Sequence, residues 1–210
     1  MKLGIVGLEN SGKTTLFSAL TGQYVETGYF HKNEPNIAIT EIKDERVTNL
    51  SKIYEPQKTI YATIEILDFP AEEEDKRKQF NASQLKLLDA FAIVLRNFSD
   101  PIIDPTLGGA DPLRDLQEIE LEMVLSDLQI AEKRLEKVQL GFKRGVKTAE
   151  ALFEEKVLLK VVECLQQERP LRKLELTPDE EKTLRGFQLL TQKPVMILLN
   201  SDESNYLKND

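Results

Sequence analysis

Gly7-Leu8-Glu9-Asn10-Ser11-Gly12-Lys13-Thr14 has the spacing G-x-x-x-x-G-K-[ST]. A loop of this pattern curls its backbone N–H groups around phosphate oxygens, and Gly7 and Gly12 let it turn and approach where a Cβ would obstruct. Lys13 would then reach the β- and γ-phosphates, and the Thr14 hydroxyl would ligate Mg²⁺. Asn10, Ser11, Gly12, Lys13, Thr14 and Thr15 are therefore the candidate phosphate-binding residues. Asp68 ends an apolar run and is the candidate carboxylate for holding Mg²⁺ through water. A second apolar run, Val195 to Leu199, delivers Asn200-Ser201-Asp202-Glu203.

These residues need elements to place them. Lys2 to Val6 reads as a short buried strand, and Thr15 to Leu20 as a helix start, so the glycine loop joins strand to helix. Thr21-Gly22 stops that helix. Asn36 to Ile42 alternates like a strand, and Asp44 caps a helix running to Tyr54. Thr59 to Phe69 reads as the strand carrying Asp68, a helix ends at Leu85 to Leu88, and Ala90 to Leu95 is a further apolar strand. This order predicts an α/β fold: a mostly parallel sheet covered by helices. In an open sheet of that kind ligands bind at the C-terminal edge of the strands, so Asn200 to Glu203 would face the same edge as the glycine loop.

Prolines and glycines from Pro101 to Pro112 mark a change of regime. From Asp111 to about Gly141, Leu121, Val124, Leu128, Ala131, Leu135, Val138 and Phe142 recur at spacings of three and four, a coiled-coil seam about 45 Å long. Gly141 and Gly145 bracket a turn. A second helix from about Thr148 to Glu168 offers Leu152, Leu158, Val162 and Leu165, and the two helices should pair antiparallel. The sequence leaves open whether this hairpin is structural or a docking arm. Thr177-Pro178-Asp179-Glu180 starts a helix expected to reach about Thr191.

Composition excludes several classes. The chain has 210 residues, 40% hydrophobic and 30% charged, with net charge -8, which argues against a general nucleic-acid binder. Cys164 and His31 are each the only residue of their type, so no intrachain disulfide and no His/Cys zinc site can form, and a reducing cytosol is the simplest home. No apolar run is long enough to span a membrane. A monomer is expected.

In this order the pieces resemble the YchF/Obg-like ATPase family of P-loop GTPases. The resemblance rests on the glycine loop, Glu34-Pro35-Asn36, Asp44-Glu45-Arg46, the strand ending in Asp68, Arg96-Asn97-Phe98, Asp111-Pro112-Leu113-Arg114-Asp115, Glu132 to Lys137, Leu174 to Thr177 and Lys193-Pro194-Val195. It implies a P-loop NTPase (G-domain) sheet over residues 1–109 and 173–210, interrupted by an antiparallel helical coiled-coil hairpin over 110–172. It implies that Asn200 to Glu203 stands where related GTPases have Asn-Lys-x-Asp, which shifts the base preference from guanine toward adenine. Phe98 matches a residue that packs near the base, and Ser201 occupies a base-pocket position that is often apolar in the family.

The implied activity is binding of ATP or GTP with Mg²⁺ and slow hydrolysis, carried by Lys13, Thr14 and Asp68. The implied partner is the ribosome. Lys137, Lys143, Arg144 and Lys147 crowd the hairpin tip, which suits RNA phosphates and equally suits a solvated helix turn. Three departures bear on hydrolysis. The family's Asp-x-x-Gly is Asp68-Phe69-Pro70-Ala71, its first-switch Thr falls on Lys32, and the Gly-rich stretch is replaced by the charged block Glu72 to Lys78. A module that binds without hydrolysing, or a coiled-coil scaffold with degenerate switches, is the alternative. Family members continue into a TGS module beyond the point where this chain stops, so a fragment or a short member is expected.

Overall fold

A computed structural model describes residues 1–23, 25, 35–69, 81–100 and 109–203. Among them the chain divides into two compact units, one of Met1–Ala71, Leu88–Ala110 and Val195–Asp210, the other of Glu72–Leu87 and Asp111–Pro194.

The first unit is built on a five-stranded sheet in the order β2-β3-β1-β4-β5, with β1 Lys2–Val6, β2 Asn36–Ile42, β3 Ala62–Asp68, β4 Ala90–Asn97 and β5 Val195–Ser201. β3, β1, β4 and β5 run parallel, and β2 pairs antiparallel to β3. The α/β reading therefore holds, with β2 reversed. Burial explains the middle of the sheet. Residues 90–96 of β4 are all buried, the unbroken apolar run of a strand covered on both faces. Ile5, Phe17, Ala38, Ile66 and Val94 form one core cluster, in which Phe17 of α1 (Lys13–Thr21) seals the sheet. Gly4 sits where a Cβ would collide with the Leu88 side chain, so β1 and the start of β4 pack backbone to side chain.

α1 ends at Gly22, whose left-handed φ of 68° lets its N–H reach the Ser18 carbonyl. α2 (Glu45–Tyr54) starts where the Asp44 carboxylate accepts from the Arg46 N–H at 2.8 Å. The strand expected from Thr59 begins only at Ala62, where its ladder with β2 starts opposite Ile42.

In the second unit, α3 (Ala82–Leu85) is one capped turn, shorter than the helix expected to run through Leu88. α4 (Pro112–Lys143) and α5 (Ala149–Gln166) form the hairpin. Asp111 caps the Arg114 N–H and Pro112 opens the first turn, while Gly145 at φ 89° reverses the chain. Val124, Ala131 and Val138 meet Val157, Leu158, Val161, Val162, Cys164 and Leu165, with Leu128, Leu135 and Phe142 packed alongside. The heptad spacing thus located the seam, except at its ends. Leu121 and Leu152 are exposed, and Ile119 and Met123 are buried instead. Arg134 grips Glu154 through two N–H donors at 2.7 and 2.9 Å on the outer side.

Residues 173–194, placed by the sequence with the sheet, group with the hairpin. Leu171, Leu184 and Leu189 join the α4–α5 cluster, with Leu174, Leu176 and Phe187 against it. Their apolar periodicity is satisfied by helices, which the sequence alone does not distinguish from a sheet face. α6 (Pro178–Leu184) opens with the expected capping box of Thr177 and Glu180 but stops short of Thr191. The chain then makes 3-10 turns at Arg185–Phe187 and Leu190–Gln192, separated by Gln188 at φ 51°. Asp127 of α4, fully buried, takes the N–H groups of Leu190 at 2.8 Å and Thr191 at 2.7 Å and the Thr191 hydroxyl at 2.7 Å. A helix through these residues would spend those donors on its own carbonyls.

Candidate phosphate-binding site

Because β1, β3, β4 and β5 are parallel, their C-terminal ends open on one edge. β1 runs directly into the glycine loop, β3 ends in Asp68, and β4 and β5 end side by side at Arg96↔Asn200 and Asn97↔Ser201. The loop closes over β4 so tightly that a Cβ on Gly7 would lie 2.5 Å from the Val94 carbonyl oxygen and 2.6 Å from Ser11 Oγ. Asn10 at φ 59° and Gly12 at φ 97° adopt left-handed conformations. Such a succession turns neighbouring N–H groups inward to form a concave anion cradle. Gly12 caps α1 without a side chain, so the first N–H groups of the helix have no side-chain acceptor at its cap.

Lys13 folds back over this cradle. Its Nζ donates to the carbonyl oxygens of Gly7 and Leu8, both at 2.8 Å. Burial pushes its pKa below the ordinary lysine range, while the Asp68 and Glu9 carboxylates push the other way. Asp68 is 2% exposed and lies between β1 and β2, opposite Ile5 and Asn36. Its Oδ2 accepts from the Thr14 hydroxyl at 2.9 Å and from the Asn36 side-chain amide at 3.2 Å. Its Oδ1 is buried with no partner among the described residues, as is Ser11 Oγ.

An unpartnered buried carboxylate oxygen is costly unless something else satisfies it. Thr14 Oγ1 and Asp68 Oδ1 are hard oxygen donors beside a phosphate cradle. Among the described residues there is no group of three or more His, Cys, Asp or Glu able to hold a metal ion. This sparse set fits Mg²⁺, which takes one or two protein oxygens and completes its shell with phosphate and water. It does not fit a transition-metal site.

Asn200, at the end of β5, donates from Nδ2 to the Ser11 carbonyl at 3.0 Å. A Cβ on Gly12 would collide with the same Nδ2. The loop and the β5 end are thus locked together. Ser201 is held from the other side by Asn97, whose Nδ2 donates to Ser201 Oγ at 2.9 Å. Phe98 is half-buried at the end of β4, and Glu203 is exposed in the turn after β5.

The structure therefore joins Ser11, Gly12, Lys13, Thr14, Asp68 and Asn200 in one contact network. Asn10 and Thr15 are exposed at its mouth, and Phe98, Ser201 and Glu203 stand at the ends of the neighbouring strands. His31, Lys32, Glu34, Pro70, Ala71 and the block Glu72 to Lys78 lie outside the described residues. Two residues in the site were not singled out as contacts by the sequence reading, Asn36 and Asn97. Each is a polar, poorly strand-forming residue at the tip of an apolar strand, and that mismatch is a signal.

A family model described as "50S ribosome-binding GTPase" matches residues 2–134. The chain belongs to this family. Within the family, the resemblance to the YchF/Obg-like type holds. The chain is 35% identical over 208 residues to a Bacillus subtilis protein named ribosome-binding ATPase YchF, covering 95% of this chain and 56% of that protein. It is 34% identical over 216 residues to the protein of the same name from Escherichia coli O157:H7, covering 99% of this chain and 59% of that one. The solved structure of the Schizosaccharomyces pombe YchF GTPase matches with a TM-score of 0.80 at 30% identity, over 100% of this chain and 59% of that one. The inserted helical hairpin on a G-domain sheet is thus the family's architecture. The chain spans 56–59% of the length of these relatives.

Proposed function

We propose that this chain binds ATP or GTP together with Mg²⁺ and hydrolyses it slowly, as a ribosome-associated switch in the cytoplasm. The observation that carries the reading is the Asp68 pair of oxygens: one committed to Thr14 and Asn36, the other buried and without a partner among the described residues, beside an N-terminal anion cradle. In this reading the triphosphate lies over the α1 N-terminus, and Lys13 exchanges two neutral carbonyl acceptors for charged phosphate oxygens, which make stronger bonds. Thr14 Oγ1 and Asp68 are the residues that would hold Mg²⁺. Bound Mg²⁺ would neutralise charge on the β- and γ-oxygens. The chain supplies orientation and fixed donors, which is most of what phosphoryl transfer asks of a protein.

A relative's name couples ribosome binding with ATPase activity. Carried to this chain, the hairpin tip is the ribosome contact, and Lys137, Lys143, Arg144 and Lys147 are all exposed there. A second reading, binding without hydrolysis, is favoured by one sequence observation: Pro70 and Ala71 stand where a γ-phosphate-sensing Gly is expected.

Single-turnover assays with ATP and GTP, run beside Lys13→Ala, separate the two. Turnover above that control supports the switch. Turnover equal to it, with magnesium-dependent binding intact, leaves the binding module. Charge reversal of Lys143, Arg144 and Lys147 should flatten the salt dependence of ribosome binding by about one slope unit per lost phosphate contact. An unchanged slope rejects the tip as an RNA contact.

A further inference from the structure

We propose that Asn36 is a positioning residue of the site, setting the affinity for Mg²⁺ by holding the Asp68 carboxylate, without contributing to nucleotide affinity itself. The inference rests on the magnesium–nucleotide reading above and gives Asn36 a role that reading leaves unassigned.

The geometry is specific. Asn36 opens β2 and stands directly opposite Asp68 in the antiparallel ladder with β3. Directly opposed residues have their Cβ atoms about 5 Å apart, so the reach of Nδ2 to Oδ2 at 3.2 Å follows from the register. Thr14 donates to the same oxygen. Two donors on Oδ2 fix the rotation of the carboxylate about its Cβ–Cγ bond and leave Oδ1 as the oxygen with no partner among the described residues. Of the two donors, Thr14 is also the candidate ligand of the ion. Asn36 is the one that would remain a pure brace.

The chemistry of the amide matters as much as its place. A lysine or arginine at this position would neutralise the carboxylate and compete with the cation. An amide donates a hydrogen bond while leaving the full negative charge on Asp68 for the ion. Outer partners that orient a carboxylate at a metal site act in this way, without touching the metal themselves. The phosphate cradle is built from other parts, namely the loop amides, Lys13 and the Asn200 bond to Ser11. Losing Asn36 should therefore separate metal affinity from nucleotide affinity.

The test is a fluorescence titration with N-methylanthraniloyl-ADP and its GDP counterpart, first in EDTA and then against increasing Mg²⁺, using the wild-type chain, Asn36→Ala and Asn36→Leu. Alanine removes the amide, and leucine removes it while conserving volume. Expected is a metal-free nucleotide affinity within about twofold of wild type for both variants, and an Mg²⁺ half-saturation raised by roughly tenfold. A half-saturation unchanged in either variant overturns the proposal. So does a loss of metal-free nucleotide affinity of the same size as the loss in Mg²⁺, or a failure of both variants to bind nucleotide at all, since each assigns Asn36 to the cradle or the fold. Absence of magnesium-dependent binding by the wild-type chain overturns the underlying reading, and it is seen before any variant is compared.

Discussion

Gly12→Ala is the substitution whose cost can be built up from separate contacts. Gly12 has φ 97° and ψ 21°, beyond the range an alanine tolerates, which costs about 1–2 kcal/mol. Its new methyl would also collide with Asn200 Nδ2. That atom is the tip of a side chain, so the cheap escape is for Asn200 to swing away, surrendering its bond to the Ser11 carbonyl. Leaving that carbonyl without its donor adds roughly 1–3 kcal/mol. The variant should therefore lose about 2–5 kcal/mol in all. Asn200→Ala alone should lose only the second term, and Gly12→Ala in that background only the first, because the collision is gone. The two substitutions are thus sub-additive by about 1 kcal/mol or more. Urea unfolding of the four chains in the cycle, followed by far-ultraviolet circular dichroism, measures it. Additivity within about 0.5 kcal/mol would refute the idea that one collision links the loop to β5.

Other consequences are simpler. Burial lowers the Lys13 pKa in the free chain, and phosphate would raise it again, so nucleotide affinity should fall as pH rises toward the ordinary lysine range, in titrations that Lys13→Ala leaves flat. The nucleotide-free fold should move the other way, gaining stability over the alkaline window because the unfolded chain holds the extra proton there. Asp127→Ala strands two backbone N–H groups and the Thr191 hydroxyl, and should cost roughly 2–4 kcal/mol in urea unfolding. Leu158→Ala, at a seam position 1% exposed, should cost about 2–5 kcal/mol, whereas Leu152→Ala, 50% exposed, should stay within about 0.5 kcal/mol. Equal effects of these two would mean that the helices pair in a different register.

The parts that were legible in the sequence are those fixed by local chemistry. Strand, glycine loop and helix follow from Gly7 to Thr14 because only a few residue types allow that turn. The hairpin follows from a period that burial imposes along an isolated pair of helices. What escaped is where two long-range demands compete. Residues 173–194 carry apolar residues that would suit a sheet face or a helix face, and only the Asp127 side chain, some sixty residues upstream by sequence, decides that 190–192 turn instead of continuing a helix. In the same way, nothing local to Asn36 reveals that its partner is Asp68, since the pairing depends on β2 running antiparallel. Polar residues at the tips of apolar strands are the visible trace of such contacts.

Asn200 constrains how far the site can select its nucleotide. Its amide nitrogen carries two hydrogens, and one is committed to the Ser11 carbonyl. On the proposed function, the other is available to a base acceptor, and the acceptor common to both purines is N7. Asn200 can then select a purine, and its Oδ1 is an acceptor that suits the adjacent exocyclic amine of adenine and not the exocyclic carbonyl of guanine. Ser201 Oγ accepts from Asn97 and keeps its own hydroxyl donor, and Glu203 is exposed, where water competes for its carboxylate. ATP affinity should accordingly exceed GTP affinity, and Asn200→Ala should narrow the gap in competition titrations. On the same reading, the Asn200 bond to the Ser11 carbonyl also stiffens the phosphate loop, and a cradle formed before its ligand arrives would lower the ordering cost of binding.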